Sequence, residues 1–146
     1  MKALPGTIAI LVIITGINTG SAQVSLLNAC ERGDLDSVKT LVEAGADVNY
    51  LHNPVEEKKT CNHEGGCDHM HGRSPLFWAI IRGHHHIAKY LLSKGANPNL
   101  LNEGKKTALH WAVLRNDTVA VNLLISYGAL PDTEDTFGKT PLDYAR

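Results

Sequence analysis

The chain has 146 residues, of which 43% are apolar and 20% are charged, a composition typical of a folded globular protein rather than a disordered one. This length suits a single domain. The formal net charge is −1, from 14 basic and 15 acidic residues, so the sequence lacks the clustered basic excess expected of a nucleic-acid-binding protein.

Residues 1–22 have the pattern of a secretory signal peptide. Lys2 supplies a positive charge, residues 8–14 are almost continuously apolar, and small residues follow at positions 20–22, where a signal peptidase cuts. The apolar run is shorter than the roughly 20 residues of a membrane-spanning helix. We therefore expect cleavage before Gln23, a secreted or periplasmic protein, and no membrane contact after cleavage. An uncleaved membrane anchor is the alternative.

A two-helix pattern follows the predicted cleavage point. Its apolar positions recur at helical spacing: Leu26, Ala29, Val38, Leu41 and Val42. This spacing predicts helices near 26–31 and 35–44. Position 24 lacks a side-chain oxygen, so Gln23 or Ser25 is expected to cap the first helix. Cys30 lies beside a core position and is expected to be a small buried side chain.

Residues 51–71 lack helical periodicity and are rich in cysteine and histidine. The candidate metal ligands are Cys61, His63, Cys67, His69 and His71, with Met70 among them. A Cys61–Cys67 disulfide is the preferred interpretation, because an exported protein permits it. The same side chains suit Zn²⁺ or a copper ion, although the spacing between the cysteines is wider than in common structural zinc sites. A solvated loop without a ligand is the third interpretation.

From Ser74 onward the sequence repeats with a fixed period, and equivalent starts lie at Ser74, Thr107 and Thr140. Each start can cap a helix with its side-chain oxygen, and a proline after two of the starts suits the first helical position. His110 can complete a capping box with Thr107. The glycines of two later Gly-Ala steps, Gly95 and Gly128, suit the left-handed position that ends a helix. Self-similarity at a period of about 33 residues is typical of stacked-repeat proteins.

The expected inward-facing positions of the second and third units follow from this frame. They are Leu76, Ala79, Ala88, Leu91 and Leu92, with the counterparts Leu109, Ala112, Val121, Leu124 and Ile125. A single helix pair cannot cover such a face, so each unit is expected to bury it against its neighbours.

The residues that recur at equivalent positions of the repeat, which we call columns, resemble those of the ankyrin repeat family. The motif of that family is Thr-Pro-Leu-His-x-Ala followed by a Gly-Ala step. The corresponding openings are Ser74-Pro75-Leu76, Thr107-Ala108-Leu109 and Thr140-Pro141-Leu142. The resemblance implies an all-α fold, an ankyrin-type α-solenoid of helix–turn–helix repeats with β-turn fingers. The domain then spans residues 23–146, with repeats at about 24–73, 74–106 and 107–139 and a partial repeat at 140–146. The first repeat is longer than the period of the others, which places a loop insertion near 51–71.

The resemblance also implies a module that binds another protein and that is not an enzyme. Trp78 and Trp111 share one column with Tyr144, and aromatic residues dominate binding hot spots. Packing between neighbouring first helices is the alternative role for these tryptophans. The complete set of predicted partner contacts is Trp78, Trp111, Asn102, Glu103, Asp135 and Phe137. No cofactor is expected, unless zinc or copper occupies the Cys/His-rich segment. A metal-binding or redox-responsive protein working through residues 61–71 is the alternative function.

Two further expectations concern the middle of the chain. The glycine of the finger at residues 102–106 is displaced from its position in the finger at 135–139, which predicts a different tip shape. His84, His85 and His86 are adjacent residues and therefore point in different directions from a helix. They are expected to be structural or solvated rather than a metal site.

Overall fold

The computed structural model describes residues 19–52 and 72–145, and within these ranges the protein consists of seven helices and no strand. The helices are α1 (Thr19–Arg32), α2 (Leu35–Glu43), α3 (Pro75–Arg82), α4 (His85–Ser93), α5 (Ala108–Leu114), α6 (Thr118–Ser126) and α7 (Pro141–Tyr144). The predicted all-α repeat fold is confirmed. None of these seven helices has the length and apolarity needed to cross a membrane.

The helices form two rows with the core between them. The first helices of each unit, α1, α3, α5 and α7, pack side by side, and the second helices, α2, α4 and α6, form the other row. Nine of the ten predicted inward positions are buried or half-buried. Ile125 is the exception, with 44% of its surface exposed, because the described residues contain no second helix beyond α6 to cover it. Its counterpart Leu92 is buried between neighbouring units.

The helix caps predicted at Ser74, Thr107 and Thr140 are present. The Ser74 hydroxyl accepts the Phe77 N–H at 3.3 Å, and the His110 ring forms a capping box with Thr107. The glycines of the two Gly-Ala steps have left-handed φ angles of 90° and 85°. These side chains and turns satisfy backbone groups that helix ends leave free, so each unit fixes its own boundaries.

The first helix differs from the prediction. It begins at Thr19 rather than near residue 26, so Gln23 and Ser25 lie inside α1 and cap nothing. The Gln23 side-chain oxygen instead accepts the Asp47 N–H at 3.1 Å, and the Ser25 hydroxyl donates to the Ser21 carbonyl. The Gln23 contact joins α1 to the first finger.

The fingers close by the same two backbone hydrogen bonds in all three repeats. In the second finger the Asn102 N–H donates to the Lys106 carbonyl at 3.1 Å and the Lys105 N–H donates to Asn102. In the first finger the His52 N–H donates to the Arg73 carbonyl at 3.2 Å and the residue before Arg73 donates back to His52. The insertion therefore belongs to the tip of the first finger, between its paired ends.

The prediction that the second finger has a different tip shape is wrong. Lys105 has φ 53°, which places it in the same left-handed region as Gly138 at 68° and Gly72 at 73°. These three residues occupy equivalent positions in their fingers. A lysine accepts this conformation at a steric cost of roughly 1–2 kcal/mol, so the shape survives without glycine at that position.

Gly72 and Gly138 share this backbone conformation but not their surroundings, and this difference predicts unequal tolerance to alanine. A Cβ on Gly72 would lie 3.1 Å from the Glu103 nitrogen and 3.2 Å from the Asn102 Cα, whereas at Gly138 nothing lies within 4 Å. We expect Gly138→Ala to lower the unfolding free energy by about 1 kcal/mol and Gly72→Ala by about 1–3 kcal/mol more, since backbone must move. Urea unfolding of both variants measures the difference; equal losses would contradict it.

Candidate partner-binding surface

Aromatic and cationic side chains alternate along the row of first helices, near the points where the fingers end and these helices begin. Trp78, Trp111 and Tyr144 occupy one column of α3, α5 and α7, one repeat period apart. Arg73, Lys106 and Lys139 stand one residue before the three helix caps, at the same spacing. We call these six residues the cation–aromatic strip.

Arg73 lies between the two indoles of the strip. Its guanidinium carbon is 4.9 Å from the ring centroid of Trp78 and 5.6 Å from that of Trp111. A second cation, Arg82, is also 5.6 Å from the Trp78 ring and forms an ion pair with Glu31 of the first repeat. Contacts of this kind attract the cation to the ring face, so they fix the orientation of the indoles.

In the next unit, the strip residues Lys106 and Tyr144 contact the buried carboxylate of Asp135. Asp135 accepts the Tyr144 hydroxyl at 2.6 Å, the Lys106 Nζ at 3.2 Å and the N–H groups of Phe137 and Lys139. Burial by itself raises the pKa of Asp135, but these hydrogen bonds outweigh it and hold the pKa well below its ordinary value. Asp135 therefore stays ionised and balances the charge of Lys106.

The structure divides the predicted contact residues into two groups. Trp78 and Trp111 are half-buried in the strip, and Phe137, with 76% of its surface exposed, stands on a finger tip 5.5 Å from the Lys106 Nζ. Glu103 is also exposed on a finger.

Asn102 and Asp135 form the second group. They are buried, and their side chains accept finger N–H groups. Through these oxygen atoms both side chains support the fingers from inside the protein. Trp111 also packs edge-on against Phe77 at 6.3 Å between ring centroids, so the indoles serve the packing between first helices as well.

Sequence reasoning missed the cationic half of the strip. Arg73, Lys106 and Lys139 recur at the repeat period, and this spacing was the available signal. Basic residues on a repeat surface are usually solvated, so the spacing alone does not indicate contact with aromatic rings. The contacts arise where neighbouring units meet: Arg73 reaches Trp78 and Trp111, Lys106 reaches Phe137 and Tyr144, and Lys139 reaches Tyr144.

The adjacent histidines and Cys30 have structural roles. The His84 Nε2 is 3.1 Å from the Glu31 carbonyl in the preceding unit, and the His85 Nε2 is 2.6 Å from the Asp117 carboxylate in the following unit. Both rings join neighbouring repeats. Cys30 is fully buried in the core, as predicted, and burial raises its pKa to about 12, so its thiol stays protonated at neutral pH.

The Cys/His-rich segment lies outside the described residues. Both the Cys61–Cys67 disulfide and the metal site of Cys61, His63, Cys67, His69 and His71 therefore stay predictions. Across residues 19–52 and 72–145, no group of three or more His, Cys, Asp or Glu side chains is placed to hold a metal ion.

Three stacked helix pairs of one recurring pattern, with neighbouring units covering each other's apolar faces, define a helical repeat protein. A family model described as ankyrin repeats (many copies) matches residues 76–125, and a model described as ankyrin repeat matches residues 25–53. The chain belongs to the ankyrin repeat family, whose repeats are protein–protein interaction modules.

Curated relatives are similar to parts of this chain. The candidate E3 ubiquitin-protein ligase XBAT34 of Arabidopsis thaliana is 41% identical over 85 residues, which is 58% of this chain and 19% of that protein. Ankyrin repeat family A protein 2 of Homo sapiens is 34% identical over 73 residues, 50% of this chain and 22% of that protein. The ADP-ribosylation factor GTPase-activating protein AGD4 of Arabidopsis thaliana is 34% identical over 86 residues, 58% of this chain and 9% of that protein. The chain thus spans less than a quarter of each of these relatives.

Proposed function

We propose that this protein is an exported ankyrin repeat module that binds another protein through the cation–aromatic strip and the adjacent finger tips. The observation that carries the proposal is the strip itself, in which two half-buried indoles are held in place by cations. Tryptophan, tyrosine and arginine are the residue types enriched at binding hot spots. Rings already fixed in position lose little conformational entropy on binding.

The finger beside the strip extends this surface. Phe137 exposes most of its ring at the tip, and the Lys106 Nζ beside it carries a charge that Asp135 already balances. A large exposed apolar side chain next to ordered aromatic groups is typical of an interaction site. The proposed contact surface therefore consists of Trp78, Trp111, Tyr144, Phe137 and Glu103, held in place by the buried Asn102 and Asp135.

The proposal of export rests on the N-terminal sequence pattern. Cleavage before Gln23 would remove the start of α1, which begins at Thr19, and retain the side chain that bonds Asp47. Intact-mass measurement of the protein recovered from the culture medium or the periplasm tests this step. We expect a chain that begins at Gln23; a chain that still begins at Met1 would count against export by a cleaved signal.

The binding surface predicts how partner recovery depends on the strip. Compared with the unmodified chain, a Trp78→Ala/Trp111→Ala variant should recover its partners at least tenfold less in a pull-down from the same compartment, because both hot-spot rings are lost. Phe137→Ala should weaken recovery without disturbing the core, since its ring is exposed.

Tyr127→Ala provides the matched control. Tyr127 is also exposed, but it lies at the end of α6 in the row of second helices, away from the strip. Circular dichroism establishes that each variant is folded. Unchanged recovery of the same partners by the double variant and by Phe137→Ala would argue against this surface.

A further inference from the structure

Neighbouring repeats differ at one position in the charge that they supply to the strip. In the later unit the Lys106 Nζ meets the Asp135 carboxylate at 3.2 Å. One period earlier, Arg73 takes the position of Lys106, and Asn102 takes the position of Asp135. An amide has the shape of a carboxylate but no charge, so Arg73 lacks the counter-ion that the next unit provides.

Arg73 is a buried cation that no carboxylate of the described residues pairs with. The residue is 5% exposed, its Nε is buried without a hydrogen bond, and its guanidinium makes no ion pair with any residue in the described ranges. Among the described residues, the charges that act on Arg73 are those of Arg82 and Glu31, which pair with each other. Burial lowers the pKa of Arg73 to about 10; the Arg82 charge acts in the same direction, and Glu31 opposes it. Leaving a buried charge unpaired is costly, and a bound anion would remove that cost.

We propose that Arg73, Asn102 and the flanking indoles of Trp78 and Trp111 form a subsite for the carboxylate of an Asp or Glu side chain in the partner protein. This inference rests on the proposed function. It specifies that the partner protein presents an acidic segment to the cation–aromatic strip. The next repeat shows which group fits, because Asp135 fills the equivalent position with a carboxylate.

The local chemistry favours a carboxylate over other groups. A guanidinium presents planar donors that match a carboxylate in a two-point hydrogen bond. Asn102 offers an amide N–H₂ where Asp135 offers an acceptor, while its Oδ1 is already used by the Lys106 N–H at 2.8 Å. The Asn102 backbone packs against the residue before Arg73, where a Cβ added at position 72 would lie 3.2 Å from the Asn102 Cα. The amide is thus held beside the base of the first finger.

Asn102→Asp tests the subsite because it supplies the missing carboxylate from within the chain. The substitution should be tolerated, since Asp135 occupies the same position one repeat later. Asn122→Asp makes the same chemical change at an exposed position of α6, away from the strip, and is the matched control. We expect the melting temperature to rise in Asn102→Asp and to stay unchanged in Asn122→Asp.

The binding experiment uses a display library of random short peptides panned on the full chain. Enriched peptides are resynthesised with each acidic residue replaced by its amide. For the unmodified chain and Asn122→Asp, the peptide change should weaken binding at least tenfold. For Asn102→Asp, the acidic peptides should bind at least tenfold more weakly, and the acidic and amide forms should no longer differ.

The outcomes separate the subsite from the wider proposal. Failure to enrich any peptide that depends on Trp78 and Trp111 would overturn the proposed function together with the subsite. Enriched peptides that need both indoles but share no acidic residue would overturn the subsite alone. The subsite alone would also be overturned if Asn102→Asp and the unmodified chain distinguished the acidic from the amide peptides equally well. A tenfold gain in affinity on replacing residues 53–71 with Glu-Gly would identify the chain's own insertion as the occupant and overturn the external partner.

Discussion

Replacing Leu91 with alanine is expected to lower the unfolding free energy by about 2–5 kcal/mol, the range for truncating a buried leucine. Leu91 is fully buried in α4, the second helix of the middle unit, and α4 packs against both α2 and α6. A loss of this size is comparable with the roughly 5–15 kcal/mol stability of a whole domain. Because repeat stacks are held by contacts between adjacent units, the cavity weakens two interfaces at once.

Urea titration measures this loss, and two controls locate its cause. Leu114→Ala removes the same atoms from a side chain that is 44% exposed at the end of α5 and should cost well under half as much. Replacing residues 53–71 with Glu-Gly, to match the second finger, should change stability by only about 1 kcal/mol, since closing a shorter loop costs less entropy. If that replacement unfolds the protein and Leu91→Ala does not, the insertion is a structural element and the assigned repeat frame is wrong.

Asp135→Asn should lower the unfolding free energy at pH 7 by about 1–3 kcal/mol, because hydrogen bonds to a charged group are lost and Lys106 is left without its partner. The folded-state pKa of Asp135 lies below the ordinary value of 3.8. Its contribution to stability is therefore complete above about pH 4 and is lost as the pH falls below that value. The difference between the unmodified chain and Asp135→Asn should be constant from pH 5 to 8 and shrink below pH 4.

Urea unfolding at pH 7, 5 and 3.5 measures this dependence. Asp132→Asn is the control, since it removes a carboxylate from the same finger at an exposed position and should change stability little at any of the three pH values. A loss in Asp135→Asn that stays the same at pH 3.5 would show that the shape of the side chain, rather than its charge, carries the effect.

The fold was predictable from the sequence because its determinants are local and periodic. Capping residues such as Ser74 and Thr107 act within one turn of a helix, and the apolar columns recur at the repeat period. The start of α1 was not predictable in this way. Its first turns are largely exposed, and the buried positions of the helix begin at Leu26, so residues 19–25 carry no apolar periodicity.

The candidate surface was only partly predictable, because its contacts depend on packing between units. The tryptophan column follows from the period, but the position of Arg73 between two indoles requires α3 and α5 to be side by side. The same limit applies to Asp135, which looks like an exposed turn residue in the sequence and is buried by Tyr144 and Lys106 of neighbouring elements. Lys105 shows a third limit, since its left-handed backbone is imposed by the finger rather than favoured by lysine.

Because the first finger closes at its base, the length of its tip does not change the register in which the repeats stack. The hydrogen bonds that join His52 to Gly72 and Arg73 are those of the shorter fingers, although a much longer segment separates the paired ends. A finger tip is therefore a position at which evolution can add or exchange a segment while the helices on either side keep their packing partners. For protein engineering, the tip between His52 and Gly72 is a position at which an epitope or a reporter peptide could be grafted onto a small repeat scaffold.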